Sequence, residues 1–331
     1  MGNCNCISGT EEKTNASFFD QPAKQENEVI ENLITEVKLY NNEELAQALV
    51  RGYLTRKDFK KEKPSPKRTN QVVDIKNYLS GSMLKILNDM DFNDLLTEGE
   101  VTILENGAFY IGEWENNKIN GKGHMIQESI YYKGEFKEGI PNGKGFILQS
   151  NGNSYTGDFL NGKYHGFGTF NMKETNYSYK GDWVNGKQQG EGTEKWLDGA
   201  SCKAQFVDGV KCGPGVFKWA DGSSYKGSFN MNQIEGTGYY RWADGRKYTG
   251  EWKNSKMNGK GVFEWPDGRK YIGDYIDDKK DGNGVFTWDG GKKYDGQWKD
   301  GKQHGFAYLE EPGKKTKKGE WKYGKRIRWV E

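Results

Sequence analysis

Few side chains in this sequence are suited to covalent or metal chemistry: four cysteines and three histidines in 331 residues. His124, His165 and His304 are far apart and do not combine with cysteines or carboxylates at metal-ligand spacing. His165 and His304 each precede a glycine of a recurring motif, which gives them a loop role. Cys202 and Cys212 are ten positions apart, and in a reducing compartment they are expected as thiols. The N-terminal pair points elsewhere. Met1-Gly2 is followed by small neutral residues and by no charge before Glu11, the pattern of an N-myristoylation signal, with Cys6 where Ser or Thr is usual. Cys4 and Cys6 are then placed for S-palmitoylation beside an acylated Gly2. One myristoyl chain holds a membrane only marginally, so a second lipid is what stable anchoring needs. An ordinary disordered terminus is the plainer reading, and a Cys-x-Cys metal site lacks further ligands nearby. The sequence holds no P-loop, no GxGxxG ahead of a helix and no kinase signature, so no catalytic residue, cofactor or metal is assigned.

A second group of residues suits recognition. Residues 43–61 read as a helix containing AQALVRGYLTRKDF. Its Gln47, Arg51, Gly52, Arg56 and Phe59 resemble, in type and spacing, the IQ motif, with Ala46 departing at the first position. The resemblance implies a calmodulin- or centrin-like EF-hand partner. Leu49, Tyr53 and Phe59 would anchor it, and Arg51, Arg56, Lys57, Lys60 and Lys61 would face its acidic surface. A basic amphipathic helix packed on the rest of the chain, or lying on a membrane, is the alternative.

These groups need elements to carry them. Residues 1–25 are polar and expected to be disordered. Residues 26–61 read as helical: Val29, Ile30, Leu33, Ile34 and Val37 keep one face apolar between Asn27 and Tyr40, and the IQ-like helix comes next. Residues 62–69 form a linker, with two prolines stopping the helix. Residues 70–100 are apolar-rich at helical spacing. They are expected to cap the first unit of a repeat array, which occupies residues 101–331.

The array is read from GVFEWPDGRKYIGDY, residues 261–275. It predicts a β-hairpin with a type I′ turn at Asp267-Gly268 and a return strand that places Tyr271, Gly273 and Tyr275 on one face. The same core occurs at Tyr110 with Trp114, Tyr132 with Phe136, Tyr155 with Phe159, and Tyr179 with Trp183. It returns at Tyr225 with Phe229, Tyr248 with Trp252, Tyr271 with Tyr275, and Tyr294 with Trp298. Two degenerate copies stand at Cys202-Ala204-Phe206 and Lys317-Gly319-Trp321. Successive copies are 22, 23 and 24, then 23 residues apart, and most are followed by Gly-x-Gly. A fixed period of this length marks a repeat architecture whose units stack because none buries a core alone. Two strands per unit give about 10 Å of advance per repeat. The glycine between Tyr and Trp is expected to make room for a neighbouring ring. Cys202 and Ala204 mark the fifth repeat as the place for a bend or a partner contact, with simple drift as the alternative.

Tyr248 to Lys270, YTGEWKNSKMNGKGVFEWPDGRK, resembles a MORN repeat, and the resemblance runs over roughly 110–321. It implies a mainly β fold: an elongated, twisted antiparallel sheet of about ten stacked hairpins, here preceded by an α-helical N-terminal region. MORN arrays bind and scaffold at membrane contacts, in the cytoskeleton and in ciliary axonemes. Some bind phospholipid and some dimerise.

Composition narrows the rest. A net charge of +2 argues against a dedicated nucleic-acid protein. No apolar run reaches the length of a membrane span, and no secretory h-region is seen. Eight basic residues between Lys314 and Arg328 suit anionic phospholipid or an acidic protein, or simply a solvated strand. Sheet edges at the ends of an array suit a homodimer. The expectation is a non-enzymatic adaptor on the cytoplasmic side of a membrane, plasma or ciliary. The alternative is an axonemal subunit resembling radial-spoke-head MORN proteins, with other scaffold proteins as partners.

Overall fold

The computed structural model describes residues 67–89 and 98–330. All of them lie in one of the chain's two compact units, Asn41–Glu331. The lipidation residues, both N-terminal helices and the IQ-like motif fall outside the described residues.

The described chain is one 22-stranded sheet. Numbered along the chain, every strand pairs antiparallel with the next, from β1 (Lys67–Asp74) and β2 (Glu98–Ile103) to β22 (Lys325–Trp329). The topology is a pure meander, as a string of hairpins dictates.

Two kinds of connection alternate. In the hairpin of Lys247–Lys253 and Lys256–Glu264, Asn254 and Ser255 have φ of 49° and 61°. That is a two-residue type I′ turn, whose twist matches the strands. Ten such turns recur, among them Asp277-Asp278 and Met231-Asn232. The Trp-x-Asp-Gly segments are the other kind, and here the expected type I′ turn at Asp267-Gly268 is corrected. Only Gly268 has positive φ, +88°. The Gly268 N–H donates to the Trp265 carbonyl at 3.1 Å and the Trp265 N–H to the Arg269 carbonyl at 3.0 Å. This is a three-residue loop closed by a left-handed glycine. Pro266 presets its φ, and Asp267 Oδ1 accepts the Arg269 N–H at 3.1 Å.

The start of the array also differs from expectation. Residues 67–74 form a strand where a linker and a helical cap were expected, and β2 opens the sheet at Glu98. The helical part of the cap shrinks to a 3₁₀ turn at Ile75–Tyr78 and α1 (Gly81–Asp89). Ser80 caps α1, its Oγ accepting the Met83 N–H at 3.4 Å. Leu79, Met83 and Leu87 fall on one side of the turn and helix. They pack on Val101, Ile111, Ile126, Tyr131, Phe146 and Leu148. The helix therefore covers a face of the first repeats, while β1 forms the sheet's edge.

Candidate functional site

The inner face of the sheet carries the repeat aromatics. The tyrosines at 110, 132, 155, 179, 225, 248, 271 and 294 are all essentially buried. Each hydroxyl donates to the backbone carbonyl three residues on, at 2.8–3.1 Å. Seven of the rings lie over a pair of glycines that face each other across the strands, while in the Tyr294 repeat Gly296 faces Ala307. Gly250 opposes Gly261, and a Cβ on Gly250 would fall 2.6 Å from Tyr248 Cζ and 2.7 Å from Gly261 Cα. The glycine thus clears space for its own repeat's tyrosine, two residues earlier, rather than for a neighbour's ring.

The second aromatic of each motif links units. Trp252 meets Tyr248 edge-on at 5.1 Å and Tyr225 of the preceding repeat at 5.7 Å. The same double contact joins Phe136, Phe159, Trp183, Tyr275 and Trp298 to their own tyrosine and the one before. Trp114, in the first repeat, meets Tyr110 at 5.4 Å. Phe229 has only its own partner, Tyr225, because the position before it is Cys202. Such pairs add about 0.5–1.5 kcal/mol each beyond burial.

Sequence reasoning missed two features of the repeat. The first is the acid after the Tyr-x-Gly. Glu251 Oε1 accepts the Lys260 N–H at 3.1 Å, just past the bulge at left-handed Gly259, and Glu113 and Asp274 do the same for Lys122 and Asn283. The second is a stack of nine rings, Trp196 to Trp288 through Phe217, Trp219, Tyr240, Trp242, Phe263, Trp265 and Phe286, spaced 4.4–5.5 Å. The recurring Trp-x-Asp-Gly was the signal for it. Cations border this stack. Arg246 lies over Trp242, and Lys280 Nζ is 5.3–5.5 Å from Trp265, Tyr271, Phe286 and Trp298.

The fifth repeat holds neither an open site nor a simple gap. Cys202 is buried where other repeats have tyrosine, and Ala204 replaces the glycine. Lys211 Nζ pairs with buried Glu194 Oε2 at 2.8 Å. Tyr177 Oη donates to Glu194 Oε1 at 2.8 Å, and Gln188 Nε2 donates to Tyr177 Oη at 3.0 Å. Burial opposes the Lys211 charge, and the Glu194 carboxylate more than offsets it, so its pKa is raised. Burial pushes the Cys202 thiol up to about 12. That thiol is protonated at neutral pH and a poor nucleophile.

Of the histidines, His165 and His304 serve through backbone: their carbonyls accept the Tyr155 and Tyr294 hydroxyls at 3.2 and 3.3 Å. His124 is buried beside α1's cluster, with Nδ1 2.9 Å from Tyr131 Oη. Burial, and then Lys133, lower its pKa from 6.5 to about 4. A histidine held neutral in the fold costs nothing above the unfolded pKa. Stability is expected to fall as pH drops from 6.5 towards 4, by on the order of 3 kcal/mol. Melting temperature against pH should show that slope in the wild type and lose most of it in His124→Phe. Equal slopes would rule the histidine out.

Among the described residues, no three His, Cys, Asp or Glu side chains are grouped to hold a metal, and no helix is long and apolar enough to cross a membrane. At the far end, β22 is exposed throughout. Arg326 lies 4.3 Å and Lys317 5.3 Å from the centre of the Trp329 ring.

Comparison with known proteins agrees with the repeat reading. The MORN repeat model matches residues 110–127, 132–154, 155–171, 179–201, 202–224, 225–245, 248–268, 271–293 and 294–308. No curated protein matches the chain. Among solved structures, the Drosophila melanogaster SAS-4 TCP domain in complex with a proline-rich motif of Ana2 is 16% identical, covering 46% of this chain and 83% of that one at a TM-score of 0.30. A point-mutant TCP10 domain of Danio rerio CPAP is 11% identical, covering 70% of this chain and 99% of that one at a TM-score of 0.24. Likeness at that level carries no argument about function.

Proposed function

The chain belongs to the MORN-repeat family, and on that premise we propose that it is a non-enzymatic scaffold, held on the cytoplasmic side of a membrane by acylation of Gly2, Cys4 and Cys6. The helix bearing Gln47, Arg51, Gly52, Arg56 and Phe59 recruits a calmodulin- or centrin-like EF-hand protein, and the array holds further partners or anionic phospholipid. One observation carries the scaffold reading. MORN repeats run across 110–308 as one continuous sheet. The repeat tyrosines, facing glycines and capping acids are spent on holding that sheet together, and the cysteine that enters the core is a protonated thiol.

The test is the intact mass of protein purified from its own cells, with detergent and salt fractionation alongside. Myristate on Gly2, and release from membranes by Gly2→Ala, are the expected results. An unmodified terminus in a detergent-resistant, microtubule-associated fraction overturns the anchor and leaves the axonemal alternative. The EF-hand arm is read separately. Calmodulin should retain the wild-type chain and lose it on Arg51→Glu with Arg56→Glu, and equal retention removes that arm.

A further inference from the structure

The outer face of the sheet changes character twice along the array. In the first two repeats it is largely apolar, with His124 and Lys133 between Ile111 and Phe146, and it lies under α1, which packs with Ile111, Ile126, Tyr131, Phe146 and Leu148. In the next three repeats the row of outward positions to which Ile111 and Phe146 belong continues, cross-strand neighbour by neighbour, as Thr156, Thr169, Lys180, Thr193, Lys203 and Val216. Past Lys226, from the second strand of the sixth repeat, it turns largely apolar: Tyr239, Val262, Ile272, Val285 and Tyr308, with Thr249 and Asp295 between. Val262 and Val285 are half-buried and the other three apolar side chains are exposed. Ile272 is 49% and Tyr308 47% exposed, and Tyr239 is 36% exposed.

The repeat does not require this. Sheet folding needs the inner Tyr, Gly and Trp positions, and the middle repeats show that the outer row folds equally well with Thr and Lys. Beside the row runs Lys218, Ser224, Arg241, Lys247, Glu264 and Lys270. Glu264 is matched by Lys270 at 3.1 Å. Arg241 and Lys247 are exposed and make no ion pair among the described residues.

We propose that this second apolar row is a docking site for an amphipathic helix of a partner protein, one with an apolar stripe and carboxylates along the side that meets Arg241 and Lys247. Leu79 and α1 show the geometry within the same molecule: Leu79, Met83 and Leu87, four residues apart, pack on the same face. From Tyr239 to Tyr308 there are six strand spacings, about 29 Å, which a helix of about 19 residues spans. The helix lies across the strands, apolar anchors on the row and acids towards the basic flank. This site is independent of the acyl chains and of the IQ-like helix.

The probe is a synthetic helical peptide of that length, with leucines at every third or fourth position and glutamates elsewhere, labelled for fluorescence anisotropy with the full chain. Binding is expected, with a loss of about tenfold or more on Ile272→Lys. Thr156→Lys, at the equivalent position of the polar stretch, and a scrambled peptide without the stripe serve as controls. Melting temperatures of the two variants should match the wild type, since both positions are exposed. No binding, or equal binding to Ile272→Lys, overturns the proposal. So does a concentration-dependent dimer abolished by Ile272→Lys, which would make a second copy of the chain the occupant.

Discussion

Glu194→Ala is expected to destabilise the array by roughly 3–5 kcal/mol, the cost of leaving one partner of a buried ion pair alone. The carboxylate takes a charged hydrogen bond from Lys211 and a second from Tyr177. Its removal strands an ammonium that burial alone would discharge. Lys211→Met should cost a comparable amount for the mirror reason. The repeat itself supplies the rescue. Glu194 stands where the following repeats place Phe217, Tyr240, Phe263 and Phe286, and Lys211 stands where the next two place Ile234 and Met257 and the two after them Lys280 and Gln303. Glu194→Phe with Lys211→Met restores that pattern. Tyr177 loses an acceptor, costing about 1–3 kcal/mol, while removal of a buried pair returns about 1–4 kcal/mol. The double variant should therefore melt near the wild type and well above either single one. Single variants that lose less than about 1 kcal/mol would mean that water reaches the pair.

Gly250→Ala is expected to cost about 2–3 kcal/mol, the upper end of the overpacking range, because its Cβ collides with both the Tyr248 ring and the facing Gly261 backbone. The effect should depend on the ring. The fifth repeat has already run the experiment: where tyrosine gives way to Cys202, the glycine has become Ala204. In a Tyr248→Cys background Gly250→Ala should therefore cost only a fraction as much, a coupling read from a double-mutant cycle. Repeat arrays unfold in parts, so the readout is native-state hydrogen exchange of the strand at 256–264 together with the melting temperature. Equal costs in the two backgrounds would show that the glycines answer to backbone demands alone.

The period was plain in the sequence because stacking requires one identical buried set per unit, and that set is rich in Tyr, Gly and Trp. The turns were harder to read. Asp-Gly is the stronger hairpin signal by composition, yet Asp277-Asp278 and Met231-Asn232 take the type I′ shape. Their second residues are held from the preceding repeat, Asp278 N–H donating to the Met257 carbonyl at 3.0 Å and Asn232 N–H to the Lys211 carbonyl at 3.1 Å. A tertiary hydrogen bond selects the conformation there, and no local pattern records it. Strand β1 was hidden for a similar reason: KRTNQVVD is polar, and its pairing partner lies beyond a helix. The glycine between Tyr and Trp was expected to clear space for a ring but was given the wrong one, since one strand's periodicity shows which residues share a face and not how far a side chain leans along it. The Glu194–Lys211 pair was legible in principle, as an acid where the other repeats keep apolar side chains and a lysine where the next two keep Ile234 and Met257.

A meander in which each strand's ladder of hydrogen bonds joins it only to its chain neighbours has a mechanical consequence. Tension applied between Lys67 and Val330 would meet no hydrogen bond joining distant parts of the chain. It would peel the end strands and advance inwards, breaking a few bonds at a time. Each 23-residue unit freed would release roughly 75 Å of chain, and the Tyr–aromatic contact to the next unit would set the step. The array would then yield gradually and re-zip from whatever remained folded, behaving under load as a spring with a regular pitch rather than as a rigid strut.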